Sequence, residues 1–132
     1  MEYIGKYGEY LVLAKLLKMN IEAYLAIKTN QNDYDVTAIK NANLIRRIQV
    51  KTTELNNKST NNPVSNVKKK YDYLVIVIVD DDNDRYFILS KEEVAKEISK
   101  SNALYTTEIK KGKFYVKENI KQYENMWEKI FT

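Results

Sequence analysis

The chain has 132 residues, 44% of them hydrophobic, which is enough for one compact domain with a real core and too short for two ordinary ones. It contains no cysteine and no histidine. Disulfides, thiolate nucleophiles, Cys-built zinc clusters, Ser-His-Asp and Cys-His hydrolysis and His-ligated transition metals are therefore excluded. Catalysis is left to Asp, Glu, Lys, Arg, Tyr, Ser, Thr or amides, and any metal must be a hard cation with oxygen ligands. No apolar run approaches the ~18 residues of a membrane span. The longest, Tyr73 to Val79, suits a buried strand. The first twenty residues carry five charges and no small-residue cleavage site, so no secretory leader is expected and the expected compartment is cytoplasmic.

Residues 2–19 hold good helix formers and no proline, predicting a helix stopped by Asn20. A short strand is expected over 22–29, ended by the polar cluster Thr29 to Asn32. Two β-rich runs, 34–40 and 44–53, surround Asn41-Ala42-Asn43 and read as a hairpin. Residues 54–70 are polar, with the one proline, Pro63, and read as the long loop. The continuous apolarity of 72–80 marks a central strand buried on both faces. A strand over 85–89 follows, then Ser90 and Glu93 form a capping box that opens a helix running to about Ser101. A small hairpin around Lys111-Gly112 and a last helix over 118–131 complete the chain. The expectation is an α/β domain spanning 1–132, with an N-terminal helix and a mixed sheet of about five strands flanked by helices.

The net charge is +4, and its distribution is uneven. Between Val36 and Tyr71 stand Lys40, Arg46, Arg47, Lys51, Lys58, Lys68, Lys69 and Lys70 against the single acid Glu54. Such a local excess is an electrostatic footprint for phosphate backbones, with Arg46, Arg47, Lys58, Lys68, Lys69 and Lys70 as the candidate contacts. Glu9 has Gly5, Val12, Leu13 and Leu16 as its helical neighbours, so a carboxylate falls on an apolar face beside two glycines. Burying it unpaired costs several kcal/mol, which calls for a partner, a metal or a raised pKa. In the hairpin, Gln49 and Lys51 share one strand face. A three-residue turn makes paired numbers sum to 84, setting Asp35 opposite Gln49 and Asp33 opposite Lys51. A two- or four-residue loop sets Asp35 beside Val50 or Ile48 instead. Asp80, Asp82 and Asp84 imitate the start of a calcium loop but lack its glycine and closing glutamate.

Gly5-x-x-Gly8-Glu9 on the first helix, Asp35 opening a strand and Gln49-Val50-Lys51 on the next strand resemble the PD-(D/E)XK nuclease superfamily, the restriction-endonuclease-like and Holliday-junction-resolvase-like enzymes. The resemblance covers about residues 3–100. It implies a restriction-endonuclease-like fold and a metal-dependent endonuclease acting on DNA. In that family the carboxylate equivalent to Asp35 holds Mg²⁺, Glu9 supplies a further carboxylate, and Lys51 orients or deprotonates water or neutralises charge on the phosphate. Gln49 departs from the usual Glu or Asp; its carbonyl can still ligate Mg²⁺ but removes one negative charge, favouring millimolar metal or Mn²⁺. Tyr34 stands where the family's proline usually precedes the aspartate. Cutting both strands needs two sites, so a homodimer is expected, with no membrane and no small-molecule cofactor. The alternative is a nuclease-fold DNA-binding or interaction module without turnover.

Overall fold

The computed structural model describes residues 1–26, 33–56, 64–65, 67–81, 83–98 and 102–132. In chain order these form α1 (Ile4–Lys18), β1 (Glu22–Leu25), β2 (Val36–Asn41), β3 (Leu44–Glu54), β4 (Val64–Ser65), β5 (Tyr73–Val79), β6 (Arg85–Ser90), α2 (Lys91–Glu97), β7 (Ala103–Leu104), β8 (Thr107–Lys110) and β9 (Lys113–Val116). Two 3₁₀ segments, Glu118–Tyr123 and Trp127–Phe131, end the chain. Five strands make one mixed sheet in the order β1-β2-β3-β5-β6, with β3 and β5 parallel and the other pairs antiparallel. β4 pairs with β7, and β8 with β9.

Strand alternation divides the core in two. Val36, Ala38, Ile48, Val50, Val75, Val77 and Ile88 face α1 and the last 3₁₀ segment, meeting Val12, Leu16, Trp127 and Ile130. Leu74, Ile76, Ile78, Phe87 and Leu89 face the other way, beneath Val94 of α2, Leu104, Val116 and Ile120. Leu74 to Ile78 are all buried, as continuous apolarity requires of a central strand covered on both sides. Burial of each such side chain contributes about 1.5–3 kcal/mol.

Local signals account for most boundaries. Asn20, at φ 62, ends the α1 turn. Ser90 accepts from the Glu93 N–H, and the Glu93 carboxylate accepts from the Ser90 N–H, completing the capping box of α2. Lys111 and Gly112 both take positive φ, the demand of a tight two-residue hairpin turn.

Two expectations need correction. The helix expected over 118–131 is two 3₁₀ segments, because the edge of β6 captures the chain between them. Arg85 grips Glu124 through two 2.8 Å bonds, the Asn125 N–H donates to the Tyr86 carbonyl at 2.9 Å, and Asn125 turns left-handed at φ 57. These bonds cover an edge strand that is otherwise open to pairing. α2 ends at Glu97, with Ile98 already extended, and 99–101 lie outside the described residues, as do 27–29 of the expected first strand and 30–32 after it. Among the described residues, no helix is long and apolar enough to cross a membrane.

Candidate active site on the central strand

The β2–β3 pairing sums to 84 from Val36↔Ile48 to Ile39↔Ile45, but the turn that produces it is not the expected one. Asn41 pairs with Leu44, leaving Ala42-Asn43 as a two-residue turn, and the register shifts by one between Ile39 and Asn41. That turn alone implies a sum of 85 and sets Asp35 beside Val50. The irregularity at Lys40 absorbs the extra residue; just before β2 the Asp35 N–H donates to the Ile48 carbonyl at 2.8 Å, and its side chain reaches Gln49.

The alignment has direct chemical consequences. Asp35 and Gln49 are 7% and 5% exposed. The Gln49 Nε2 donates to Asp35 Oδ2 at 2.8 Å, and the Val50 N–H donates to the same oxygen at 2.8 Å. Gln49 Oε1 is buried and accepts no hydrogen bond among the described residues. A buried carbonyl oxygen without a donor is uncommon in a folded interior, and a hard cation would satisfy it. Asp35 and Gln49 therefore fit an oxygen-ligated divalent ion, whereas no three acidic side chains gather into a metal-holding group among the described residues.

Lys51 lies two residues on, half-buried, on the face that carries Gln49. Burial, and next the charge of Lys69, push its ammonium below the ordinary lysine value, while Asp35 pulls the other way.

Glu9 is half-buried on α1. The buried stripe of that helix is Gly8, Val12 and Leu16, so Glu9 flanks the apolar face rather than occupying its middle. At Gly8 the helix runs hard against β3: a Cβ there would lie 1.8 Å from Thr52 Oγ1 and 2.9 Å from Thr52 Cβ. Gly5 has no such neighbour, so only Gly8 is demanded by packing.

The cations separate by strand parity. Arg47 is exposed on the Gln49 face, its guanidinium 6.0 Å from the Tyr34 ring centre. Arg46 points to the opposite layer and its Nε donates to the Ile130 carbonyl at 2.7 Å, tying the chain end to β3. Lys68 and Lys70 are exposed and Lys69 is half-buried; Lys58 lies outside the described residues.

Four bonds fix the segment that bears the three lysines, and sequence reasoning missed them. Asp33 Oδ1 accepts from the Lys70 N–H at 3.1 Å, which corrects the expected Asp33–Lys51 pairing. Asp72 Oδ2 accepts from the Arg47 N–H at 2.7 Å. Lys91 lies 4.1 Å from the Tyr71 ring centre and donates to the Lys69 carbonyl. Tyr71 donates its hydroxyl to the Val67 carbonyl. All of them join residues distant in sequence or internal to a loop, so no local pattern announces them.

Burial pushes the Tyr71 phenol up to about 12. Its folded value lies above the ordinary 10.0, so its stabilising effect is complete below pH 10 and is lost as pH rises through 12. Tyr71→Phe is expected to flatten that part of the alkaline unfolding curve, followed by far-UV circular dichroism. Identical alkaline transitions in the two proteins would show that Tyr71 does not drive it. Tyr123 is raised further, by burial and by its bond to Glu97, and titrates beyond this window.

The fold is similar to the solved structure of a bacterial homing endonuclease, I-Ssp6803I, with a TM-score of 0.68 and 14% identity, over 99% of this chain and 93% of that one. No protein-family model matches the chain, and no curated protein matches it by sequence. What the two chains share at this identity is the fold: the chain has the α/β architecture of an endonuclease.

Proposed function

We propose that this chain is a metal-dependent endonuclease of the PD-(D/E)XK type that hydrolyses DNA phosphodiester bonds through Glu9, Asp35, Gln49 and Lys51. The observation that carries the reading is the buried Asp35–Gln49 pair, with an acceptor oxygen left over on Gln49, two residues from a half-buried lysine. The likeness to a homing endonuclease structure supports it. Asp35 and Gln49 would hold Mg²⁺ or Mn²⁺, with Glu9 as a further carboxylate. Such an ion supplies charge neutralisation of the phosphate and a lowered pKa for water. Lys51 stabilises the negative charge that develops on the phosphate, or takes the proton of the attacking water, a proton it holds less tightly than an ordinary lysine. The lysines at 68–70 hold the flanking phosphates, and Arg47 contacts the DNA beside them. Two sites are needed to cut both strands, which makes a homodimer the working assembly.

The test is cleavage of supercoiled plasmid and of a branched junction in Mg²⁺, Mn²⁺ and EDTA, beside Asp35→Ala. Metal-dependent nicking lost in the variant is the expected result; equal product from both proteins would sink the reading. One observation favours a second reading, a binding module without turnover: the Gln49 amide by itself satisfies an oxygen of Asp35. DNA retention without cleavage in any metal would select it.

Gln49→Glu separates the two. It sets a second carboxylate 2.8 Å from Asp35 in place of a donor, so melting in EDTA is expected to fall. Mg²⁺ should then restore stability and support cleavage at about tenfold lower concentration than in the native chain. A melting curve in EDTA indifferent to the substitution would remove the basis for this metal site.

A further inference from the structure

We infer that the face of β1, β2 and β3 left open by the described residues is a base-reading surface for duplex DNA, with Tyr24, Thr37 and Arg47 as the row that meets the groove. The inference rests on the nuclease reading and goes on to say which residues select the sequence.

Register assembles the row. Tyr24 pairs with Thr37, and Thr37 with Arg47, so three strands present these side chains side by side. Thr37 is two residues from Asp35 and Arg47 two from Gln49, so alternation puts the row on the catalytic face, about 7 Å along the strands. The next row on that face is Glu22, Ile39 and Ile45. A phosphate positioned at Asp35 and Gln49 therefore has its neighbouring base pairs over these rows.

Exposure supports the assignment. Beneath β5 and β6 the same face is sealed by Val94, Leu104, Val116 and Ile120. At the β1–β3 end, Tyr24 is 55% and Ile45 48% exposed, and Arg47 is exposed as well. Three strands spaced about 4.8 Å apart form a ribbon about 10 Å wide. The major groove of B-DNA is about 12 Å wide and admits strands of this kind.

The chemistry of the rows matches base edges. Arg47 has the forked donors that pair with guanine, and its Nε is steadied at 3.5 Å from Asp72 Oδ2. Thr37 carries a hydroxyl that can donate or accept, and Ile45 is apolar like the thymine methyl. Tyr24 donates its hydroxyl to Glu22 at 2.6 Å, which orders both side chains; the Glu22 carboxylate can accept from a cytosine amino group. Lys51 and Lys69, close enough for their charges to interact, continue the positive field beside the row.

The experiment is selection from a random duplex library in EDTA, where the DNA stays intact, with plasmid nicking in Mg²⁺ by the native chain measured in parallel. The native chain is expected to enrich a short motif. Arg47→Ala should flatten one or two positions and cost about tenfold on the motif. Tyr24→Ala and Thr37→Ala should alter adjoining positions, and Lys70→Ala should weaken all sequences alike. A motif unchanged in all three row variants overturns the inference, as does nicking by a native chain that enriches no motif; both leave the nuclease reading standing. Neither nicking nor retained DNA overturns both. A native dimer that becomes monomeric on Ile45→Ser also overturns the inference, because the face would then be buried between copies.

Discussion

Lys51→Met is expected to lower phosphodiester cleavage by about 10³-fold and to leave the melting temperature equal or higher. The two parts have one cause. Lys51 holds its ammonium half-buried and under the charge of Lys69, an arrangement that disfavours the charged form. Methionine keeps an unbranched stem for packing and removes that burden, so the loss of function comes without loss of fold. Most half-buried substitutions destabilise, which makes this direction diagnostic. Plasmid nicking and thermal melting on the same preparation check it. A melting temperature well below the native value would make Lys51 a structural residue. Lys51→Arg refines the result, since it keeps the charge but has no accessible proton equilibrium. Activity retained in the arginine variant assigns charge neutralisation to Lys51, and activity lost in both assigns proton transfer.

Gly8→Ala carries the largest expected effect on stability, about 3 kcal/mol, the upper part of the range for overpacking. The added Cβ meets Thr52 Oγ1 at 1.8 Å, Cβ at 2.9 Å and Cγ2 at 3.0 Å, and a Cβ cannot rotate away as a side-chain tip can. α1 must lift from β3, which loosens Val12 and Leu16 from the core. The melting temperature should fall by roughly 10 °C for a chain of this size. Cleavage should fall further than stability alone explains, because Glu9 follows Gly8 on the same helix. Thr52→Ala in the Gly8→Ala background should recover part of the loss, since it removes the 1.8 and 3.0 Å contacts and leaves the one at 2.9 Å. Full additivity of the two substitutions would show that the helix and strand do not meet there.

Much of the candidate site is legible in the sequence. Glu9, Asp35, Gln49 and Lys51 are of types suited to hydrolysis without histidine, and strand alternation groups Gln49 and Lys51 on one face. Asp35, just before β2, and Gln49 of β3 do meet through their side chains. Parity carries more than that: it also sends Arg46 away from Arg47, and a count of adjacent cations conceals the separation. Extending the pairing beyond Asp35 assigns Asp33 to Lys51, but β2 begins at Val36 and the chain before it turns to Lys70.

The sequence by itself determined what chemistry was open and where the elements with strong local signals lie. Two missing residue types excluded most catalytic machinery, and local signals (the capping box, the Lys111-Gly112 turn, the apolar run of β5) fixed their elements, because each acts within a few residues. Tertiary structure decided what depends on distant partners. The hairpin register came from a one-residue irregularity that no turn rule marks, and the C-terminal helix broke because β6 offered bonds to Glu124 and Asn125. The basic segment is held by Asp33, Asp72 and Lys91, and the apolar alternation of β1–β3 leaves a polar face whose exposure depends on which elements pack elsewhere. Local propensity spans one turn of chain, whereas these features need contacts across the sheet.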